Sequence, residues 1–332
     1  MTLQDVQVTI DLQKPTGRVS FAMPLILGKT TAGSDYKEYG DLESVKKDFG
    51  ADTPETKMAE AIFAQGDHAP ARIAMVASGE NGDSVETLRQ VMDRGWYYLL
   101  AADAAPATVD ALAAAIEQDD YRVFVTRVAD KARLQALHAK AYTRTVAFYH
   151  SDDTLYPDAA LVGSTGSYDV GSVTWKFKTC ADITAMPVSA TELMEIHDNG
   201  GITYVNKQGE ARTSEGKTLS GEYIDVIMSR DYVRARMEAE IQHLLNQSDK
   251  VPYTNAGIAQ IESTVVNVLQ EAFRQGIIAE DDSGEPLFGT SFLLRNEVEP
   301  ADRASRHYKG GSFWFEIAGA VHTVRVKGVI RF

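Results

Sequence analysis

Residues 72–77 read Arg-Ile-Ala-Met-Val-Ala, residues 96–101 Trp-Tyr-Tyr-Leu-Leu-Ala, residues 121–126 Tyr-Arg-Val-Phe-Val-Thr and residues 145–149 Thr-Val-Ala-Phe-Tyr. Each is a short apolar run of the kind that suits a central strand covered on both faces. Helical patterns lie between them at about residues 83–93, 108–117 and 130–140. This alternation predicts an α/β layer domain with at least partly parallel strands. Upstream, Pro24-Leu25-Ile26-Leu27-Gly28 is a further buried-strand signal. Asp41-Leu42-Glu43-Ser44-Val45 opens one helix. Thr53-Pro54-Glu55 opens another, with Thr at the cap and Pro at the first helical position, and that helix runs through Met58, Ala59, Ile62 and Phe63.

Between about residues 150 and 190 the character changes. Gly163, Gly166 and Gly171 with several Ser and Thr residues predict a loop-rich crossing, interrupted by the alternation Thr174-Trp175-Lys176-Phe177-Lys178. From Ser189 a short helix is expected, then strands or hairpins around Ile202 to Val205 and Thr218 to Ile227. Asp231 is a plausible cap for a helix reaching Asn246, with an apolar stripe of Val233, Met237, Ile241, Leu244 and Leu245. Asn255 caps another, whose stripe is Ile258, Ile261, Val265, Val268, Leu269 and Phe273 and whose stop is Gly276. Asp281-Asp282-Ser283-Gly284 is a turn signal between apolar strands that lacks the spaced oxygen ligands of a calcium loop.

The 332 residues suggest two compact units, and 44% hydrophobic content is enough for a substantial core. No stretch approaches the roughly 18 consecutive apolar residues of a membrane span. The opening Met1-Thr2-Leu3-Gln4-Asp5 lacks a signal-peptide layout, and the lone Cys180 fits a reducing, cytoplasm-like site of synthesis. A formal charge of −14 argues against a nucleic-acid coat. The charge is uneven, because residues 303–332 carry six Lys or Arg against Glu316 alone. That segment is +5, which leaves −19 on the rest. A basic tail on an acidic body can dock on the body of another copy.

Signals for chemistry are weak. Gly216-Lys217-Thr218 mimics the end of a phosphate loop, but Ala211 stands where the first glycine belongs, and the residues before it read as the first strand of a hairpin. The seven histidines have no metal-ligand spacing. Gly163-Ser164-Thr165-Gly166 is not a nucleophile elbow. No catalytic residue, cofactor or metal ligand is expected.

Both ends read as lone amphipathic strands. Val6, Val8, Ile10 and Leu12 alternate with polar residues near the start, and Val324, Val326, Gly328, Ile330 and Phe332 alternate with Thr323, Arg325, Lys327, Val329 and Arg331 at the end. Pro15 and Gly17 loosen the first from the body, and Gly319 precedes the last. Each end either closes its own domain's sheet or pairs with something else.

The chain resembles the tail sheath proteins of contractile bacteriophage tails and phage-tail-like particles. The resemblance rests on Thr174-Trp175-Lys176-Phe177-Lys178, on Glu215-Gly216-Lys217-Thr218 leading into Gly221-Glu222-Tyr223-Ile224-Asp225, on residues Lys250 to Ile258 (Lys-Val-Pro-Tyr-Thr-Asn-Ala-Gly-Ile) and on Ile317-Ala318-Gly319-Ala320-Val321-His322. Phe49-Gly50 and Ala64-Gln65-Gly66 add to it in the first half. The resemblance implies a two-domain subunit of α/β and α+β class, with mixed sheets flanked by helices and extended terminal β-arms. The implied parts are an N-terminal strand-donating arm (1–20), an outward-facing inserted α/β domain (21–175), an inner α+β assembly domain (176–318) and a C-terminal strand-donating arm (319–332).

By the same resemblance the subunit is no enzyme. It assembles with itself as stacked six-fold rings around an inner tail tube protein, meets baseplate and tail terminator proteins, and contracts to drive the tube through a cell envelope. It would be assembled in the host bacterial cytoplasm and reside in the tail sheath, with no nucleic acid bound and no membrane insertion. The interface residues implied are Val6, Val8, Ile10, Leu12, Val324, Arg325, Val326, Lys327, Ile330 and Phe332, with Gly17 and Gly319 as hinges. The alternatives are another self-assembling tail or baseplate component, or a cytoplasmic enzyme using a crevice at the strand ends.

Overall fold

The computed structural model describes residues 20–324. Strand β1 (Pro24–Lys29) has Leu25, Ile26 and Leu27 buried, as its unbroken apolar run requires. Strand β2 (Ala32–Tyr39) follows. Helix α1 (Leu42–Phe49) starts where the Asp41 side chain accepts from the Ser44 N–H, and α2 (Pro54–Phe63) where Thr53 accepts from the Thr56 N–H. Then come β3 (Ile73–Gly79), α3 (Ser84–Arg89), β4 (Tyr98–Ala101), α4 (Pro106–Asp119), β5 (Val123–Val128), α5 (Lys131–His138) and β6 (Thr145–Tyr149). The expected strand and helix alternation is therefore present, and β2 is an addition to it. Its charged sequence, Ala-Gly-Ser-Asp-Tyr-Lys-Glu-Tyr, carries no strand-like apolar run because it is an exposed edge strand.

Helix α6 (Pro157–Thr165) corrects the loop-rich reading of residues 150–190. All nine of its residues are buried, so it shows no amphipathic stripe for periodicity to detect. Gly163 lets it cross α2 closely: a Cβ there would stand 2.7 Å from the Ile62 carbonyl oxygen. Thr174 to Lys178 form a turn rather than a strand, with Trp175 fully buried and Phe177 at φ 65°.

Helix α7 (Ala190–Asp198) begins at Ser189 with a reciprocal capping box to Glu192. It leads into β7 (Gly201–Ile202) and the hairpin β8 (Tyr204–Lys207) and β9 (Glu210–Thr213), which holds the start of the phosphate-loop mimic. The strand expected over Thr218 to Ile227 is instead a turn followed by helix α8 (Ile224–Gln247), because Ile224, Ile227 and Met228 already face the core. Asp231, expected as its cap, lies inside it and is buried. Helix α9 (Asn255–Arg274) is capped by Thr254, one residue before the expected Asn255, and stops at Gly276 with φ 79°. Strand β10 (Phe288–Phe292), the short helix α10 (Pro300–Ala304) and β11 (Gly311–Phe315) complete the described chain.

The main sheet has seven strands in the order β2-β3-β1-β4-β5-β6-β7. Every neighbouring pair is parallel except β2 with β3. Alternate residues leave opposite faces. Ile26, Met75, Leu100, Val125 and Phe148 meet α1, α2, α6 and the apolar sides of α8 and α9, while Leu25, Leu27, Ala74, Val76, Leu99, Phe124 and Ala147 meet α3, α4, α5 and α7. The seventh strand comes from beyond residue 176. The sheet thus straddles the boundary expected there.

Candidate assembly interface

The crevice outside the carboxyl ends of β1 and β4, where the strand order reverses, is the usual ligand position in such sheets. Here the chain's own side chains occupy it. Glu55, in the first turn of α2, accepts from the Lys29 N–H at 2.8 Å and lies over Gly28. Arg127 donates to the Ala101 and Ala102 carbonyls at 3.0 and 2.8 Å and to Asp158 Oδ2 at 3.2 Å, with the Tyr156 ring against its guanidinium. Glu55, Arg127 and Asp158 are all buried. Burial pushes the Asp158 carboxyl up, against the pull of Arg127.

A second buried ion pair joins α8 to the sheet. Arg144, at the entry to β6, donates to Asp231 Oδ2 at 2.6 Å and Oδ1 at 2.9 Å, and Tyr97 donates its hydroxyl to Oδ2 at 2.7 Å. Burial pushes the Asp231 carboxyl up, opposed by Arg144 and Tyr97. Asp120 also accepts from Arg144 Nε at 3.0 Å.

Among the described residues, no group of three or more His, Cys, Asp or Glu is arranged to hold a metal, and no helix is long and apolar enough to cross a membrane. Both ring nitrogens of His150 face backbone groups of Asp152 and Thr184. Cys180 is buried, and desolvation pushes its thiol up to about 12.

Of the expected interface and hinge residues, Val6, Val8, Ile10, Leu12, Gly17, Arg325, Val326, Lys327, Ile330 and Phe332 lie outside the described residues. Gly319 and Val324 lie within them. Ala318 N–H makes a backbone bond to the Ile277 carbonyl, and Gly319 then takes φ 59°, a left-handed turn that favours glycine. Three residues on, His322 docks on the body. Its Nε2 is 2.8 Å from Thr174 Oγ1, its Nδ1 is 3.6 Å from Glu215 Oε1, and its ring meets Tyr223 edge to face. Val321 and Val324 flank it at 79% and 74% exposure, with their apolar side chains in solvent. A cleft of about 320 Å³ lies under Gly319 and Ala320 and is lined by Asp225, Thr174 and Ile277.

Nearby, β10 and β11 pair antiparallel with each other alone among the described residues. Phe288, Phe292, Phe313 and Phe315 line the face toward the core. Gly289, Ser291, Ser312 and Trp314 line the other. Trp314 is 53% exposed and lies across Gly289, where a Cβ would stand 2.5 Å from its indole nitrogen. Sequence reading missed this ribbon because its two strands are separated by 18 residues and neither alternates cleanly.

Residues 224–290 match the family model described as E217 tail sheath protein gp31-like, C-terminal domain. No curated protein sequence matches the chain. Among solved structures, the helical sheath of the anti-feeding prophage in its contracted state aligns over 99% of both chains at 12% identity, with a TM-score of 0.73. A chain of the six-fold symmetrised baseplate of the same particle aligns over 100% of both at 12% identity and 0.71. The contracted sheath complex of the PVC extracellular contractile injection system aligns over 99% of this chain and 98% of that one at 11% identity and 0.68. Residues 224–290 are thus similar to a tail sheath C-terminal domain, and the described chain shares the mixed α/β fold of those contracted-sheath chains.

Proposed function

We propose that this protein is the polymerising subunit of a contractile tail sheath, with no catalytic role. The β10–β11 ribbon carries the reading. A two-stranded ribbon is marginal by itself. Its unpaired edges accept further strands, gaining main-chain hydrogen bonds and, on one face, burial against the phenylalanines that already line it. The amphipathic ends, with Val6, Val8, Ile10 and Leu12 at one and Val324, Val326, Ile330 and Phe332 at the other, supply such strands to neighbouring copies, and two arms per copy multiply the contacts. Gly319 is one joint and Gly17 the other.

On this reading residues 21–175 face outward and residues 176–318 face a tail tube, in rings that stack six-fold and end on baseplate and terminator proteins. The particle assembles in the host cytoplasm. Contraction needs no nucleotide, because rigid-body rotation between two packings releases the energy of the extended array. The likeness to a chain in a baseplate favours one second reading, a ring-forming component at that end of the tail.

Electron microscopy of the purified protein tests this. The full chain forms helical tubes or stacked rings. Deleting residues 1–20 or 319–332, or placing Asp at Val326, leaves a folded, monodisperse protein. Normal tubes from the shortened chains would refute the arm assignment, and a full chain that never polymerises would refute the sheath reading.

A further inference from the structure

Beside the docked His322, Phe177 stands 42% exposed at the centre of a group of cations. Lys207 Nζ lies 4.7 Å and Lys176 Nζ 5.3 Å from its ring centre. Lys178 is its chain neighbour, and Lys217 lies over Tyr223, whose ring touches His322. Of the four lysines only Lys176 has an ion-pair partner among the described residues, Glu215 at 3.3 Å. His197 and Asp225 are the remaining titratable groups at the site's margin. Burial pulls the ammonium groups of Lys178 and Lys207 below the usual range, and Lys176 adds to this at Lys207. Glu215, the acid inside the group, acts on Lys176, Lys207 and Lys217 together, so the half-buried surface keeps a net positive charge that an incoming acid would neutralise.

A matching element lies elsewhere on the same chain. Glu280-Asp281-Asp282-Ser283-Gly284-Glu285 places four carboxylates in six exposed residues. The turn is rigid: Asp281 Oδ1 accepts from the Ser283 and Glu285 N–H groups at 2.8 and 3.0 Å, and the Gly284 N–H bonds the Asp281 carbonyl. Asp281 is engaged in holding this shape. Glu280, Asp282 and Glu285 point their charge outward and have no ion-pair partner among the described residues.

We infer that the Lys176, Phe177, Lys207 and Lys217 surface is a socket for the acidic turn Glu280–Glu285 of a second copy of this chain, a contact that rests on the reading of the chain as a polymerising subunit. Two different patches of one chain make a head-to-tail interface, and such an interface propagates into rings or helical arrays where a two-fold one would stop at a dimer. The socket adjoins the point where the C-terminal arm leaves the body. Occupation by a neighbour's turn therefore couples ring contacts to arm direction.

Two measurements test the inference. A fluorescein-labelled peptide of residues 279–286 binds the full-length protein at low salt, weakens about ten-fold in the Lys207→Gln and Lys217→Gln double variant, as expected of a few screened surface pairs, and is lost near 1 M salt. Second, a turn variant (Glu280→Lys, Asp282→Lys, Glu285→Lys) and a socket variant (Lys207→Glu, Lys217→Glu) each stay monomeric, while an equal mixture co-assembles, since every turn then meets a socket of opposite charge. Either variant polymerising alone, or peptide affinity unchanged by the double variant, overturns the socket. Peptide binding by a wild-type chain that forms no polymer refutes the sheath reading and leaves the socket standing. Where a reversal unfolds the chain, as judged by its circular dichroism, the Lys-to-Gln variant with the peptide decides.

Discussion

Replacing Asp231 by Ala strands the Arg144 guanidinium inside the protein. Both residues are 1% exposed, so water cannot replace the two hydrogen bonds at 2.6 and 2.9 Å. Removing one partner of a buried pair costs about 3–5 kcal/mol. The Tyr97 hydroxyl loses its acceptor as well, an orphaned buried donor worth about 1–3 kcal/mol. Asp120, at 3.0 Å from Arg144 Nε, recovers a little, but it is largely exposed and its attraction is screened. The net expectation is a loss of about 5 kcal/mol, read as the shift of the urea unfolding midpoint at neutral pH. The apolar double variant Arg144→Met with Asp231→Leu restores the ion-pair part, because two desolvated charges and their attraction leave together, but not the part due to the Tyr97 hydroxyl, which still lacks its acceptor. If Asp231→Ala costs under about 1 kcal/mol, the pair is hydrated in solution and the joint between α8 and the sheet is not the buried brace described here.

Gly163→Ala forces α6 away from α2, since the new Cβ falls 2.7 Å from the Ile62 carbonyl oxygen and 2.8 Å from Gln65 Cγ; a loss of about 1–3 kcal/mol in the unfolding midpoint is expected. Cys180, buried and with its thiol pushed up to about 12, reacts with a thiol reagent at neutral pH only after urea unfolds the chain; rapid labelling of the native protein would contradict the burial. Glu192 is held below the usual carboxylate range by the Ser189 N–H and hydroxyl, and by Lys131. Its contribution to stability is therefore full above about pH 4.3 and disappears as pH falls through the lowered folded value. Glu192→Gln flattens the fall in melting temperature between about pH 5 and 3, and an unaltered slope would show that the capping box does not form.

Local rules made the first half readable. The caps at Asp41 and Thr53 are where composition puts them, and the apolar runs ending at Ala77, Ala101, Thr126 and Tyr149 overlap β3 to β6. The failures share a cause, which is tertiary context with no local trace. Helix α6 is buried on every side, so it has no stripe. Helix α8 starts seven residues before Asp231 because that aspartate answers Arg144, 87 positions earlier, and not its own backbone. The functional surfaces divide the same way. Alternation predicts the arms, since an amphipathic strand with no sequence neighbour is visible in one dimension, and most of their residues lie outside the described ones. The ribbon that would receive them is assembled from segments 18 residues apart and became visible only when folded. The same division has a mechanical meaning. Buried charge at Arg144 and Asp231 ties α8 to the sheet; on the proposed sheath reading, load passed to α8 would reach the parallel strands through that brace. By contrast, residues 319–322, the first of the expected C-terminal arm, are held by one histidine, one hydroxyl and a glycine turn. On the proposed sheath reading, a subunit that keeps its body rigid while its ends change direction would need that asymmetry between brace and hinge.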